Sequence, residues 1–477
     1  MPRHIKTYQQ AIAYMTRRIN FERSRAGSYS QRDFKLDRMR QLLSLLGDPQ
    51  ERIPAVHIAG TKGKGSTAEM VSRMLNAGGY RVGLFTSPHV SAFEERMTVD
   101  GNAPSQKQLV ELVNRVLEPV AYLEKLAANM SPTYFEIATA MAWLHFEQLG
   151  TQLVVLEVGM GGRLDSTNIC NPEVTIITNI SRDHTEFLGE ELSQIAFEKA
   201  GIIKPYVPLV SGVTAESPQD VIRQISRENH AELLQLNRDF RYHYRPHPNS
   251  FALGVNGENN RVVRSFVDLE MPWESRRGIP VPLAGEHQAA NAALAVTAID
   301  LLSRRGWPMP FEAVEQGMLE VRCPLRIEIL SQRPTILVDA AHNEASVEAL
   351  VTTLRERLPS GRRILVFAGT TGKDVKGMLR LLLPEFDVVI LTKYLNNPRA
   401  IPVEQLQNLV NSMTDSPVHL ACEPVAAWNL ISELSDPDDL ICVTGSFFIS
   451  AEMRELILSN RADASYDHSR GDAAVTG

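Results

Sequence analysis

The chain has little cysteine. Its four cysteines, Cys170, Cys323, Cys422 and Cys442, stand far apart and form no C-x-x-C pair. That argues against a disulfide framework and a structural zinc site, and fits a reducing compartment. Long apolar runs are also missing. No stretch approaches the roughly 18 consecutive apolar residues of a membrane helix. The N-terminal MPRHIKTYQQAIAYM carries charge but no apolar segment of the secretory kind. A cytoplasmic location with no membrane partner is therefore expected. Positive charge is not in excess either, since 49 Lys and Arg face 56 Asp and Glu for a formal net charge of −7. Such a surface does not advertise nucleic-acid binding. An anionic substrate would have to meet locally concentrated positive charge.

What is present is an ordinary globular composition, 44% hydrophobic and 22% charged over 477 residues. That supports sizeable cores, and at roughly 100–200 residues per domain it suggests two or three domains. The recurring pattern is strand, Gly-rich turn, helix. Buried-strand candidates are Ile53–Gly60, Arg81–Thr86, Gln152–Val158, Glu173–Asn179 and Pro208–Val213, with helical stretches between them. That alternation predicts an α/β fold with a parallel sheet covered on both faces. Residues 235–283 are rich in Asn, Arg, Tyr and Pro and alternate over short runs, which predicts an antiparallel extension of the first domain. Leu283–Leu302 reads as a helix after its first few residues. A second series, Thr335–Asp339, Arg363–Ala368, Val388–Thr392, Val418–Ala421 and Leu440–Thr444, predicts a smaller α/β domain. The expected division is 1–322, 323–460 and a polar tail, 461–477, without structure.

Gly60–Ser66, GTKGKGS, lies between a strand and a helix. In that context glycines let backbone N–H groups approach phosphate oxygens, and the helix N-terminus favours negative charge. Lys64 can offset charge on terminal phosphates, and Ser66 and Thr67 can donate further hydrogen bonds. Gly65 separates the lysine from the serine, unlike the common G-x-x-x-x-G-K-[ST] loop. Glu157 ends the strand QLVVLEV, where open α/β sheets bind ligands and where a carboxylate suits Mg²⁺ beside a nucleotide. A strand-end Glu that merely caps a turn is the plainer alternative. Asp183-His184 follows the strand EVTIITNI in the same way, with His184 either a ligand, an acid/base or a structural residue. Lys199, in FEKAGIIKP, reads by itself as a solvated surface lysine.

Taken together and in order, these segments resemble the folylpolyglutamate synthase/dihydrofolate synthase family of the Mur-ligase superfamily. The resemblance runs through INFERSRAGSYSQRDFKLDRMR, GTKGKGS, GLFTSPHVSAFEERMTVDG, SPTYFEIATAMAW, VVLEVGMGGRLDSTN, NISRDHTEFLG, FEKAGIIK, EHQAANAALA, CPLRIE, VDAAHN, NNPRA and VTGSF. It implies a P-loop ATPase domain followed by a smaller Rossmann-like domain. It also implies ATP-dependent ligation of L-glutamate to a folate or pteroate carboxylate, by a monomer. Thr61, Lys62, Gly63, Lys64, Gly65 and Ser66 would hold phosphates. Ser87, Glu157, His184 and a carbamylated Lys199 would bind two magnesium ions. Asn291, Arg326 and Asp339 would contact the nucleotide. Asp33, Thr133, Tyr134, Phe135, Glu136, Leu164, Asp165 and Ser166 would border the pteroate, and His342 and Ser446 the incoming glutamate.

Three departures stand out. Lys62 replaces the Asn of the usual GTNGKG, Leu325 occupies the middle of the P-[GA]-R stretch, and GTTGKDVKGM departs from G-x-x-x-D-K-D. None removes a residue that the chemistry needs. The chemistry expected is phosphorylation of a carboxylate by ATP, then attack of the glutamate amine on the acyl phosphate, with Asp339 or His342 as base. Closure of two domains would exclude water, bringing Arg326 and Asp339 to the nucleotide. A cell-wall ligase is the nearest rival, but only 59 residues precede Gly60, too few for its extra domain. A nucleotide-binding switch would leave Glu157, His184, Lys199 and the second domain unexplained.

Overall fold

The structure, a computed structural model, describes residues 4–20, 22, 36–183, 185–247, 263–358 and 361–473. Asp33 and His184, both candidate site residues, lie outside the described residues. The chain divides into two compact units. The first holds Met1–His247, Val263–Pro282 and Glu286–Arg322, and the second holds Leu283–Gly285 and everything from Cys323.

The first unit is built on seven strands: β1 (Ala55–Ala59), β2 (Val82–Phe85), β3 (Met97–Val99), β4 (Leu153–Glu157), β5 (Pro172–Ile177), β6 (Leu209–Ser211) and β7 (Leu233–Gln235). Their spatial order is β3-β2-β4-β1-β5-β6-β7. All neighbours run parallel except β3, which pairs antiparallel to β2 at the edge. The parallel strands are almost continuously apolar because helices cover both faces. β1 is the central strand, so the turn that follows it opens at the middle of the sheet's carboxyl edge.

The helix after that turn, Lys64–Ala77, packs on the helices Glu286–Arg304 and Phe311–Glu320. The second contact is close, since a Cβ at Gly317 would lie 2.4 Å from the Met74 Cα. Helix Tyr134–Gln148 is buried on nearly every side, with Trp143 fully enclosed. Three further strands, β8 (Arg241–Pro246), β9 (Ser265–Glu270) and β10 (Ser275–Val281), form a separate antiparallel sheet.

The second unit has a six-stranded sheet of β11 (Glu328–Gln332), β12 (Thr335–Val338), β13 (Arg363–Phe367), β14 (Val388–Leu391), β15 (Val418–Leu420) and β16 (Leu440–Thr444). The order is β11-β12-β16-β13-β14-β15, parallel except for β11. The last helix runs from Phe447 to Ala473, so the polar tail expected to lack structure continues a helix for most of its length. The segment RADASYDHSR contains no proline, and extending an existing helix needs no new nucleus.

Candidate active site

Between β1 and its helix the chain turns through two glycines with positive φ, Gly60 at 147° and Gly63 at 82°. Neither has room for a side chain. A Cβ at Gly60 would lie 1.9 Å from the Thr178 Oγ1, and one at Gly63 would lie 2.3 Å from the Asn291 Oδ1. The loop is braced against the segment after β5. Thr61 N donates to Asn179 O at 3.0 Å and Lys62 N to Asn179 Oδ1 at 3.0 Å. Thr178 Oγ1 and Asn179 Nδ2 both donate to Lys62 O, at 2.6 and 2.9 Å. Thr61 Oγ1 donates to Ser181 O and accepts from Ser181 N. Gly63 caps the helix without a side chain, which leaves the first-turn N–H groups to an external acceptor. Ser66 Oγ and Thr67 Oγ1 are buried beside them with no hydrogen-bond partner. Buried hydroxyls are seldom left so, and these fit an anionic ligand in the loop.

Two lysine amines converge on one acceptor here. Lys64 Nζ donates to Gly60 O at 3.2 Å, and Lys199 Nζ to the same oxygen at 2.9 Å. Lys199 is only 4% exposed, which overturns its reading as a surface lysine. Burial, with the charges of Lys64 and Lys62 adding to it and Asp183 opposing, pushes its amine down to about 7. Lys62, the departure from GTNGKG, turns its own amine to Asp183 at 3.3 Å. Glu157 is buried at the end of β4 and accepts from Ser87 N at 3.0 Å. Its Oε2 lies 3.4 Å from where a Cβ on Gly65 would stand, so carboxylate and loop abut. Among the described residues no group of three His, Cys, Asp or Glu stands together. Magnesium does not need one, because it commonly takes one or two carboxylates and completes its shell with phosphates and water. A Ser87–Glu157 pair facing a phosphate loop fits that habit. Asn291, whose Nδ2 donates to Gln288 Oε1 at 3.0 Å, lines the loop through Gly63.

The turn after β4 carries Leu164, Asp165 and Ser166. Asp165 Oδ2 accepts from Met160 N at 2.9 Å, and Oδ1 accepts from Thr167 N and Oγ1 at 3.0 and 2.6 Å. Burial raises its carboxyl, while the Thr167 and Met160 donors and the charge of Lys64 oppose that rise. Ser166 Oγ is 2.8 Å from Thr139 Oγ1. Phe135 lies over the turn, with its ring 2.5 Å from the place a Gly159 Cβ would take. Thr133 and Glu136 form a capping box at the start of helix Tyr134–Gln148. The Glu136 carboxylate also receives Arg38 Nε at 2.8 Å in a buried ion pair. Both residues thus serve the architecture of that wall, and Tyr134 stacks under Arg96. Sequence reasoning did not single out Arg38, His57, Thr167 or the brace residues Thr178 and Asn179. His57 had one signal, as the polar residue in the buried strand AVHIA.

In the second unit, Asp339 ends the strand line of β12. Its oxygens accept Ile327 N at 2.9 Å and Ala341 N at 2.8 Å, and burial raises its carboxyl against the opposing charge of Arg326. This shapes the stretch before it, where Leu325 and Ile327 take positive φ of 60° and 49°. Leu325 is fully buried, so a side chain stands where glycine would be easier. His342 Nδ1 is 2.9 Å from Ala340 O, and Ser446 Oγ accepts from Ile449 N at 3.2 Å.

A P-loop-like turn at the centre of a parallel sheet, with a strand-end glutamate and a second α/β unit, defines an ATP-dependent ligase of the Mur type. The Mur ligase middle domain matches residues 58–299, and the Mur ligase glutamate ligase domain matches residues 325–447. The dihydrofolate synthase/folylpolyglutamate synthase of Bacillus subtilis (strain 168) is 33% identical over 422 residues, covering 88% of this chain and 94% of that protein. The corresponding protein of Escherichia coli (strain K12) is 30% identical, covering 90% and 93%. Among solved structures, Mycobacterium tuberculosis folylpolyglutamate synthase complexed with ADP and AMPPCP superposes with a TM-score of 0.82 at 32% identity, covering 94% of this chain and 98% of that one. The chain belongs to the folylpolyglutamate synthase/dihydrofolate synthase family.

Proposed function

We propose that this protein joins L-glutamate to a folate-type carboxylate, dihydropteroate or a reduced folate, at the expense of ATP. The observation that carries the reading is the convergence of Lys64, Lys199 and Glu157 on a capless, braced loop with two unpartnered buried hydroxyls. ATP transfers its γ-phosphoryl group to the acceptor carboxylate, giving an acyl phosphate whose phosphate is a good leaving group. The loop N–H groups, Lys64, Ser66 and Thr67 hold the phosphates and offset their charge. Ser87, Glu157, His184 and a carbamate on Lys199 would hold magnesium, which would supply Lewis-acid charge beside the phosphates. A buried amine near neutrality is the form that adds CO₂. Asn291, Arg326 and Asp339 are assigned to the nucleotide.

The glutamate amine must be neutral to attack. His342 suits that base better than Asp339. A neutral ring that donates Nδ1–H to Ala340 O carries its lone pair on Nε2, whereas both Asp339 oxygens already brace backbone N–H groups. Ser446 is assigned to the glutamate, and Phe135, Leu164, Asp165 and Ser166 to the pteroate wall. The test is phosphate release with Mg-ATP and L-glutamate, with dihydropteroate in one assay and tetrahydrofolate in another, and mass spectrometry of the product. A mass gain of one glutamyl group is expected. ATP binding without glutamylation of either acceptor would overturn the assignment.

A further inference from the structure

His57 sits in the middle of β1, the central strand, with no exposed surface. Its neighbours in register are Leu156 on β4 and Thr175 on β5. An apolar residue would fill this place at no polar cost, so the imidazole has to be explained. Its Nε2 lies 2.9 Å from Thr167 Oγ1, and its Nδ1 has no hydrogen-bond partner. The Thr167 hydroxyl proton is committed, because that oxygen lies 2.6 Å from Asp165 Oδ1, which can only accept when ionised. Thr167 Oγ1 must then accept from His57, which fixes the Nε2–H tautomer. The reverse tautomer would bury an N–H without an acceptor, the rarer and costlier arrangement. Burial and the charge of Lys204 hold the ring near 3, so it stays neutral and keeps this single donor.

We propose that His57 is a positioning residue for the acceptor site, acting through Thr167 on the Asp165 carboxylate in a fixed one-way relay, His57 Nε2–H to Thr167 Oγ1–H to Asp165 Oδ1. The relay locks the Thr167 rotor and occupies Oδ1 with two donors, the hydroxyl and the Thr167 N–H. Oδ2 accepts Met160 N and is presented beside Gly159 and Phe135, 3.2 Å from where a Gly159 Cβ would lie. A carboxylate oxygen held so, against an aromatic ring, suits a flat heterocycle with an N–H donor. The nucleotide loop begins three residues beyond His57, yet the relay leads away from it, so the two substrates respond differently to its loss.

This inference rests on the proposed glutamate ligation and is tested with the full-length enzyme. The measurements are steady-state KM for the pteridine acceptor and for ATP, in His57→Leu, His57→Gln, Thr167→Val and Thr167→Ser. His57→Leu and Thr167→Val are expected to raise the acceptor KM by about tenfold, the size of one lost hydrogen bond to a charged group, with the ATP KM within about twofold. Gln returns a donor near the Nε2 position and Ser returns the hydroxyl, so both are expected to restore the acceptor KM. Thr167→Val is nearly isosteric and keeps the test open if the Leu variant does not fold. An unchanged acceptor KM in folded Thr167→Val would overturn the relay. So would equal losses for acceptor and ATP, or no recovery in the Gln and Ser variants. Wild-type enzyme inactive on either acceptor would instead overturn the ligase assignment, which separates the two failures.

Discussion

Replacing Lys199 by Met should make the protein more stable and nearly inactive. The amine is displaced from 10.5 to about 7. At about 1.4 kcal/mol for each pH unit, that corresponds to roughly 5 kcal/mol against the protonated form in the folded state. The sign follows from proton binding. Between about pH 7 and 10.5 the unfolded chain holds the proton and the folded one does not, so stability rises with pH through that window. Below pH 7 both states are protonated and the whole penalty is present. Methionine fills similar space and carries no charge to bury. In CO₂-depleted buffer, urea unfolding at about pH 6 should find Lys199→Met more stable by several kcal/mol, with the gap shrinking toward pH 9–10. Glutamylation should fall by at least about 100-fold. A variant less stable than the wild type at pH 6, or a gap indifferent to pH, would refute the buried, neutral-poised amine.

Other positions make separate demands. Gly63→Ala puts a Cβ at positive φ and 2.3 Å from the Asn291 Oδ1, so it should cost at least about 1–2 kcal/mol in urea unfolding and weaken ADP binding in calorimetry. Gly65→Ala meets only an ordinary 3.4 Å contact and should leave stability within about 0.5 kcal/mol. Arg38→Met leaves the buried Glu136 carboxylate without its cation and should cost about 3–5 kcal/mol, whereas Arg38→Met with Glu136→Gln, which removes the charge and keeps the capping-box acceptor for Thr133, should recover part of it.

Much of the frame was legible from the sequence. Short apolar runs, some of them bounded by glycine, located β1, β2, β4, β5 and β6 and every strand of the second unit's sheet except β11. The strands missed in the two mainly parallel sheets are edge strands. β3 and β7 span three residues each, and β11 follows the CPLRI stretch without an alternating pattern. Each pairs on one side only and is too short or too irregular to show a local period, even where its partner is near in the chain, as β12 is for β11. Strand-end positions for Glu157 and the phosphate loop followed from the same runs. Lys199 did not, because helical spacing gives a face but not what covers it, and only the fold turns that face onto Gly60. Thr133 and Glu136 carried a legible signal, T-x-x-E ahead of an apolar run, which is the signature of a capping box. The ion pair with Arg38 joins residues 98 positions apart, and nothing local announces it.

The bracing of the phosphate loop bears on the thermodynamics of nucleotide capture. With Thr61 and Lys62 tied to Thr178, Asn179 and Ser181 by six hydrogen bonds, the chain already has the shape its ligand requires. Arrival of the phosphates does not have to freeze a wandering segment, so little conformational entropy is lost at that step. Residence time is then set by charge and hydrogen bonding at the phosphates, and the loop itself works as a rigid socket from which product leaves without local unfolding.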